Sequence, residues 1–248
     1  MGFGALIIGD EIIRGKRQDK HFAKLIELLA ARGVTLDWVT YVGDKREFLA
    51  ETLRRTLASS DVVFSFGGIG ATPDDHTRQA AGMAAGVGLV LHPEAAAEIR
   101  ARYGDQINVN RLQLAEFPTG SRIIPNPVNR VAGFSFADHH FVPGFPQMAW
   151  PMIEWVLDRY YRDRFNDSAE AEASIVVWEG NEGVLIDLMR RIEIDYPGIK
   201  VFSLPSFGDD KVRRHLELGV RGDPAQVGPA MAEIRTAVKA LALEFEEC

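Results

Sequence analysis

Residues 61–77 of the chain read DVVFSFGGIGATPDDHT, and the class of fold can be predicted from them. The first six residues are an apolar run with the length of a buried strand. Three glycines follow within four residues, at Gly67, Gly68 and Gly70. A helix rich in small residues is then predicted from about Asp75 to Ala85. A strand, a glycine loop and a helix in this order indicate an α/β protein with a parallel sheet.

The same alternation of apolar runs and helix-period stretches is found on the N-terminal side of the loop. Strands are predicted at Ala5–Ile8 and Thr35–Val42, with a helix between them over Lys20–Arg32. A second helix is predicted to run from a capping Asp44 to about Ala58. The apolar face of the first helix is predicted to contain Phe22, Leu25, Ile26, Leu28 and Leu29.

On the C-terminal side a helix is predicted to start near Pro93, and the alternation weakens after Tyr103. The segment Arg162–Ala173 is charged and rich in small residues, so it is predicted to be a linker. We therefore expect two domains, residues 1–165 and 174–248. The first is completed by strands Arg122–Ile124, Gly133–Phe136 and His140–Val142, a turn at Asp138-His139 and a helix over Gln147–Tyr161. The second is predicted to contain strand Ser174–Trp178, helix Val184–Tyr196, strands Lys200–Leu204 and Arg214–Val220, and a helix from about Pro224.

Composition excludes several classes of function. The 248 residues carry a formal net charge of -7, and no run of basic residues is interleaved with aromatics, so a nucleic-acid partner is disfavoured. The one cysteine, Cys248, excludes an internal disulfide framework and a cysteine zinc cluster. No apolar run reaches the roughly 18 residues of a membrane span, and the N-terminus lacks the pattern of a signal peptide. We expect a cytoplasmic protein with no membrane or nucleic-acid partner.

The loop after the third strand carries the main chemical signal. Glycines at 67, 68 and 70 would let backbone N–H groups approach a phosphate, and the following helix start favours an anion. Neither a Walker A loop nor a Gly-x-Gly-x-x-Gly fingerprint is present. Asp74 and Asp75 would repel a bare phosphate, so we expect a divalent cation, with magnesium the natural choice, and Thr72 as a phosphate contact. The alternative is an ordinary capping box formed by Thr72, Pro73 and Asp75, with proline at the first helical position.

A second group of candidates follows the first strand. Asp10 and Glu11 come directly after Gly9, and in a parallel sheet the ends of the first and third strands commonly face one crevice. They are candidate ligand contacts, with Glu11 also a candidate metal ligand, although a solvated turn would explain them equally well. Arg14 and Lys16 are weaker candidates for neutralising phosphate.

Further candidates are polar or rigid positions near other predicted strand ends. Gly144 and Pro146, in the corner Pro143-Gly144-Phe145-Pro146, are candidate ligand contacts, although a strand end alone would explain this corner. Asn126 and the pair Asn110-Arg111 could present polar groups to the same crevice. No histidine cluster with metal-ligand spacing is present, and Ser65 lies outside a Gly-x-Ser-x-Gly elbow.

Taken together and in this order, these motifs resemble a known family. The chain from about Ala5 to Leu157 is similar to the molybdopterin-binding domain shared by MoaB, MogA and MoeA. Its arrangement most resembles the N-terminal domain of CinA-type competence/damage-inducible proteins, and the N-terminal half of eukaryotic FAD synthase. The motifs that carry the resemblance are Gly67 to Thr77, Gly9-Asp10-Glu11, Val42-Gly43-Asp44, Pro125-Asn126-Pro127 and Pro143 to Pro146.

The resemblance implies a three-layer α/β/α sandwich with a mostly parallel sheet, followed by a small α+β domain. Family members bind molybdopterin and transfer an adenylyl group to it, or hydrolyse the pyrophosphate of ADP-ribose- or FAD-like dinucleotides with a divalent metal. The CinA-like order favours the second activity, with Asp74 and Asp75 as catalytic residues and metal ligands together with Glu11. Relatives commonly form homo-oligomers, and we expect one here.

Three stretches depart from the family pattern. The chain has Gly9-Asp10-Glu11 where the family has Gly-Thr-Glu, and Gly70-Ala71-Thr72 where the family has Gly-Pro-Thr. An Asn-Thr-Asn-like stretch of the family is replaced around Gln18-Asp19-Lys20. Three hypotheses therefore stay open: a metal-dependent dinucleotide pyrophosphatase, a molybdopterin-binding or adenylylating protein, and a non-catalytic nucleotide sensor. All three predict a small phosphorylated nucleotide or pterin as the ligand.

Overall fold

A computed structural model describes residues 2–165, 170–208 and 213–248. The chain divides into two compact units, residues 1–167 and 168–248. The predicted linker, 162–173, falls partly on residues 166–169, which lie outside the described residues. On either side of that gap, Arg162–Arg164 form a short 3₁₀ helix and a strand begins at Ala171.

The first unit is an α/β/α sandwich, as predicted. Its strands are β1 (Phe3–Ile8), β2 (Trp38–Val42), β3 (Val62–Phe66), β4 (Leu89–Leu91), β5 (Glu116–Pro118), β6 (Arg122–Ile124), β7 (Gly133–Phe136) and β8 (His139–Val142). Its helices are α1 (Asp10–Ile13), α2 (His21–Ala30), α3 (Arg46–Leu57), α4 (Thr77–Ala85), α5 (Pro93–Tyr103), α6 (Val109–Leu112) and α7 (Pro146–Tyr160).

Six strands form the central sheet, in the order β2-β1-β3-β8-β7-β6. Strands β2, β1, β3 and β8 are parallel, whereas β7 runs antiparallel to β8 and β6 antiparallel to β7. One apolar core lies between the sheet and helices α2 and α7, and a second lies between the sheet and α3, α4 and α5. Every residue of β1 and β3 is buried because helices cover both faces of the sheet.

Some boundaries and faces differ from the sequence predictions. The buried residues of α2 are His21, Leu25, Leu28 and Leu29, whereas Phe22 is 37% exposed and Ile26 43% exposed. Phe22 directly follows the buried His21, and Ile26 directly follows the buried Leu25. One residue is a rotation of about 100° around the helix axis, which turns both side chains away from the core. The turn before β8 consists of residues 137–138, because Phe136 pairs directly with His139. The short pair β4 and β5 and the one-turn helices α1 and α6 were not predicted.

The second unit is a small α+β structure, as predicted. Its elements are β9 (Ala171–Trp178), α8 (Glu182–Asp195), β10 (Ile199–Ser206), β11 (His215–Gly222), α9 (Pro224–Ala240) and β12 (Phe245–Glu247). The strands form an antiparallel sheet in the order β10-β11-β9-β12, and α8 and α9 supply the other half of its apolar core. Within the described ranges of both units, no helix is long and apolar enough to cross a membrane.

Candidate active site at the carboxyl ends of four parallel strands

A cavity of about 400 Å³ lies where the four parallel strands end. In the sheet, β2 and β3 lie on opposite sides of β1. The winding direction therefore reverses between β1 and β3, and this is the place where α/β proteins typically bind ligands. Loops after all four strands contribute to the lining. The sequence prediction that both acidic loops face one crevice is confirmed, since Glu11, Asp74 and Asp75 all line this cavity.

The glycine loop after β3 is too tightly packed for side chains. Gly67 has a φ of 102°, and a Cβ there would lie 2.5 Å from the carbonyl oxygen of Ile8. At Gly68, where φ is 68°, a Cβ would collide with the hydroxyl of Thr77. Across the cavity, Gly144 packs against the backbone of Gly67. The positive φ angles and this crowding, by backbone at Gly67 and by a side chain at Gly68, therefore explain why glycine occupies these two positions.

Four backbone N–H groups of this loop have no hydrogen-bond partner among the described residues. The N–H of Gly67 donates to Val142 O at 3.0 Å, and that of Thr72 donates to the Asp75 carboxylate. Between them, the N–H groups of residues 68–71 form no hydrogen bond to any other described residue. Unpaired backbone donors in a glycine-rich turn are the usual building blocks of an anion-binding site.

Two buried residues at the start of α4 hold the loop in place. The Thr77 hydroxyl donates to Gly67 O at 3.0 Å, and the Thr77 N–H donates to Gly68 O at 2.9 Å. The Arg78 guanidinium donates to Gly70 O at 2.6 Å and to Gln113 O. Burial lowers the pKa of Arg78, which is only 2% exposed. These two roles were not predicted from the sequence, although a single arginine in a helix of mostly small residues is a signal for one of them.

Asp75 shapes the same loop, and a hydrogen bond from the Thr72 side chain lowers the pKa of the neighbouring Asp74. One oxygen of Asp75 accepts hydrogen bonds from the N–H of Thr72, at 2.8 Å, and from the Thr72 hydroxyl. The capping-box alternative predicted this contact, but no helix begins there, because α4 starts at Thr77. Asp74 is exposed and lines both this cavity and the neighbouring one.

Asp44 belongs to the site and not to a helix cap. The predicted cap is wrong: α3 begins at Arg46, and no side chain caps it. Instead, the Asp44 carboxylate accepts from the N–H of Asp10 at 2.8 Å, and the Asp10 carboxylate accepts from the N–H of Asp44 at 3.2 Å. This reciprocal pair ties together the loops that follow β1 and β2.

The site is strongly electronegative at this end. Burial raises the pKa of Asp44, and the nearby negative charges of Asp10, Glu11 and Asp74 raise it further. In the described part of the chain, no three His, Cys, Asp or Glu side chains are grouped closely enough to hold a metal ion by themselves. A cation bound here would therefore need ligand or water oxygens as well as carboxylates.

A second cavity, of about 550 Å³, lies beside the first and shares Asp44 and Asp74 with it. The predicted ligand contact Asp10 lines this second cavity and not the first. Its wall also contains Arg46, whose guanidinium nitrogen lies 3.2 Å from Nδ1 of His76. The two cavities together bring positive and negative side chains to adjacent positions.

The wall on the β8 side is rigid. His21 Nε2 lies 3.2 Å from Gly144 O, and the His21 ring stacks on Phe66 with centroids 4.5 Å apart. Burial lowers the pKa of His21, which favours the neutral ring. Gly144 lines the cavity as predicted, whereas Pro146 does not and instead begins α7.

Other predicted contacts are displaced from the cavity. The buried Asn126 side chain donates to Val131 O at 2.9 Å and accepts from Val128 N at 3.0 Å, so it organises its own turn. That turn carries Asn129 and Val131 to the cavity instead. Four further candidates line neither of the two cavities: Arg14, Lys16, Asn110 and Arg111. Arg17, which was not singled out, does line the first cavity.

The fold and this site together define a molybdopterin-binding-type α/β domain. Residues 4–162 match the family described as "Probable molybdopterin binding domain", and the chain belongs to this family. Within it, the chain is similar to CinA-like proteins. It is 30% identical over 210 residues to a CinA-like protein of Chlorobium luteolum, a match that covers 80% of this chain and 48% of the relative.

Two further comparisons agree with this assignment. A CinA-like protein of Citrifermentans bemidjiense is 36% identical over 163 residues, which is 62% of this chain and 39% of that protein. The crystal structure of the protein CinA, of unknown function, from Thermoplasma acidophilum superimposes with a TM-score of 0.58 and 26% identity, covering 63% of this chain and 96% of that one. The chain spans about half the length, or less, of these CinA-like relatives.

Proposed function

We propose that this domain binds a phosphorylated nucleotide and hydrolyses the pyrophosphate of a dinucleotide such as ADP-ribose or FAD, with a divalent cation. The observation that carries the proposal is the run of unpaired N–H groups at residues 68–71, in a loop whose cavity is also lined by Asp74 and Glu11. Backbone donors suit phosphate oxygens, while carboxylates next to a phosphate are favourable only when a cation lies between them.

The residues present fit a magnesium ion only in combination with the substrate. Magnesium takes oxygen ligands and is commonly held by one or two carboxylates, with phosphate and water oxygens completing its shell. Asp74 and Glu11 would provide the carboxylates, with Asp75 adjoining, because one Asp75 oxygen is already engaged by Thr72. When bound, the cation would neutralise phosphate charge and lower the pKa of a coordinated water.

The chain's own groups would supply the rest of the chemistry. Water attacks one phosphorus, the bridging P–O bond breaks, and ADP-ribose gives AMP and ribose 5-phosphate. The loop N–H groups would hold the phosphate that is attacked, which is the largest contribution expected in this type of transfer. Asp44, whose pKa is raised by burial and by its acidic neighbours, is the carboxylate best suited to accept the proton of the attacking water.

The family description supports a second candidate, molybdopterin binding or adenylylation. The same glycine loop would hold the phosphate of the pterin. A third candidate, a nucleotide sensor without turnover, is supported by the departures at Asp10 and Ala71 from the family pattern.

The first test measures AMP release by the full chain from ADP-ribose and FAD with magnesium or cobalt. Asp74→Asn is expected to lower the rate by about 100-fold, since it removes a carboxylate from beside the phosphate. Asp187→Asn, which changes an aspartate whose side chain is 92% exposed, is the matched control and should leave the rate unchanged. No AMP above the Asp74→Asn rate with either metal would exclude the hydrolase.

The same preparations separate the alternatives. Binding of ADP-ribose in calorimetry, without AMP release, would identify a sensor. Pterin fluorescence in protein purified without oxygen would favour the molybdopterin-binding function.

A further inference from the structure

We propose that Phe145 is the platform on which the planar ring of the ligand stacks, an adenine or a pterin, while the glycine loop holds its phosphates. This inference rests on the proposed function, because it assumes that the cavity holds a phosphorylated ligand. It adds the orientation of that ligand and the residue that recognises its ring.

The order of the strands gives the cavity two chemically different ends. Asp44 follows β2 and Glu11 follows β1, so the carboxylates lie on one side. The glycine loop follows β3 in the middle, and Phe145 follows β8 on the other side. From β2 to β8 there are three strand spacings, roughly 14 Å, which is enough for a ring, a sugar or side chain, and a diphosphate.

The β8 end is apolar, in contrast to the carboxylate end. Phe145, Met148 and Val131 all line the cavity there. Phe145 is 52% exposed although it lies at the cavity wall, so a large part of its ring is not covered by protein. An aromatic face at the mouth of a pocket is the usual partner of a planar heteroaromatic ring, because stacking needs no particular hydrogen-bond pattern.

A polar group is placed beside this platform. The Asn129 side-chain nitrogen lies 3.1 Å from the sulfur of Met148, a weak acceptor, while the Asn129 oxygen accepts from Val131 N at 2.9 Å. The amide can therefore exchange its contact with sulfur for a stronger acceptor on a ring edge. Ring nitrogens and carbonyl oxygens of adenine and pterin are such acceptors.

The backbone that carries the platform is anchored by hydrogen bonds on both sides of Phe145. The Phe145 carbonyl accepts from the N–H groups of Met148 and Ala149, both at 2.9 Å, at the start of α7. The preceding Gly144 is fixed by His21 at 3.2 Å and packs against Gly67. The phosphate loop and the ring platform are therefore joined by direct backbone packing, and their separation is set before a ligand binds.

The experiment compares ligands with and without a ring. Dissociation constants of the full chain are measured by calorimetry for ADP, for neopterin triphosphate and for inorganic pyrophosphate. Phe145→Ala is expected to weaken binding of the preferred ring-bearing ligand about tenfold, as loss of one stacked aromatic typically does, and to leave pyrophosphate binding unchanged. Phe145→Tyr keeps the ring and should restore the affinity.

Phe48→Ala is the matched control, since Phe48 is 57% exposed and lines neither of the two cavities. It should bind all three ligands as the unmodified chain does. An equal loss for pyrophosphate and the ring-bearing ligands in Phe145→Ala, or no loss at all, would overturn the ring platform, whereas binding of these probes to the unmodified chain would still support the proposed function. Absence of binding of every probe to the unmodified chain would overturn the proposed function and, with it, this inference.

Discussion

At the scale of single residues, Gly67 and Gly68 determine the shape of the loop that follows β3. Gly67 and Gly68 have positive φ angles and no room for a Cβ, and the N–H groups that follow them are unpaired. The same backbone geometry thus satisfies a packing requirement and exposes donors. Close packing explains why glycine occupies positions 67 and 68. The proposed binding of phosphate rests on the unpaired N–H groups of residues 68–71.

Replacing Gly67 by alanine tests this arrangement. The new Cβ would meet the Ile8 carbonyl at 2.5 Å in a left-handed conformation, so we expect the free energy of unfolding to fall by about 2–4 kcal/mol. Phosphate-ligand affinity should fall with it. Gly88→Ala is the control, because nothing lies within 4 Å of a Cβ there. Urea unfolding measures both variants, and equal stability of the two would contradict the argument.

At the scale of elements, β8 leads into the loop that lines the first cavity, and its other end contains two buried histidines. His139 Nε2 lies 2.8 Å from the Thr56 hydroxyl on one face of the sheet. His140 lies between Ser135, at 2.8 Å, and the Tyr161 hydroxyl, at 2.7 Å, on the other face. Burial lowers the pKa of His139 to about 4 and that of His140 to about 3.

The lowered pKa values of His139 and His140 predict a loss of stability in mild acid. In the unfolded chain they take up protons below about pH 6.5, whereas in the folded chain they remain neutral down to about pH 4 and pH 3. The unfolded state therefore binds more protons in this window, and stability falls as the pH is lowered through it. At pH 5 the loss is on the order of 2 kcal/mol for each histidine.

The measurement is the free energy of urea unfolding at pH 7 and pH 5. His140→Gln cannot titrate, so its free energy of unfolding should fall less steeply towards pH 5. At pH 7 this variant should be less stable, because the contacts of the imidazole with Ser135 and Tyr161 are disturbed. An unchanged slope in this variant would show that His140 does not carry the effect.

At the scale of the whole molecule, the two units have separate cores. The two apolar cores of the first unit are built from residues 3–165, and the core of the second from residues 171–245. All residues that line the first cavity lie between positions 8 and 148. The domain boundaries at 165 and 174 stay predictions, as does the homo-oligomer, which light scattering of the full chain would test.

A chain ending at residue 165 tests the boundary. Because its cores and its cavity are complete, we expect one cooperative unfolding transition and a dissociation constant for ADP-ribose within about twofold of the full chain. Calorimetry and urea unfolding provide both quantities. Aggregation of the fragment, or binding weakened tenfold or more, would mean that residues beyond 165 are needed for folding or for the site.

The amino-acid sequence by itself determined the α/β class, the order of β1 to β3, and the glycine loop with its neighbouring carboxylates. These features depend on periodicity and on residues that adjoin each other in the chain. Only the tertiary structure decided that Asp44 bonds to Asp10 and not to a helix, that Asn129 and not Asn126 reaches the cavity, and that Arg78 fixes the loop. Each of these contacts joins segments that become neighbours when the sheet forms and the helices pack on it, and short-range patterns contain no information about such contacts.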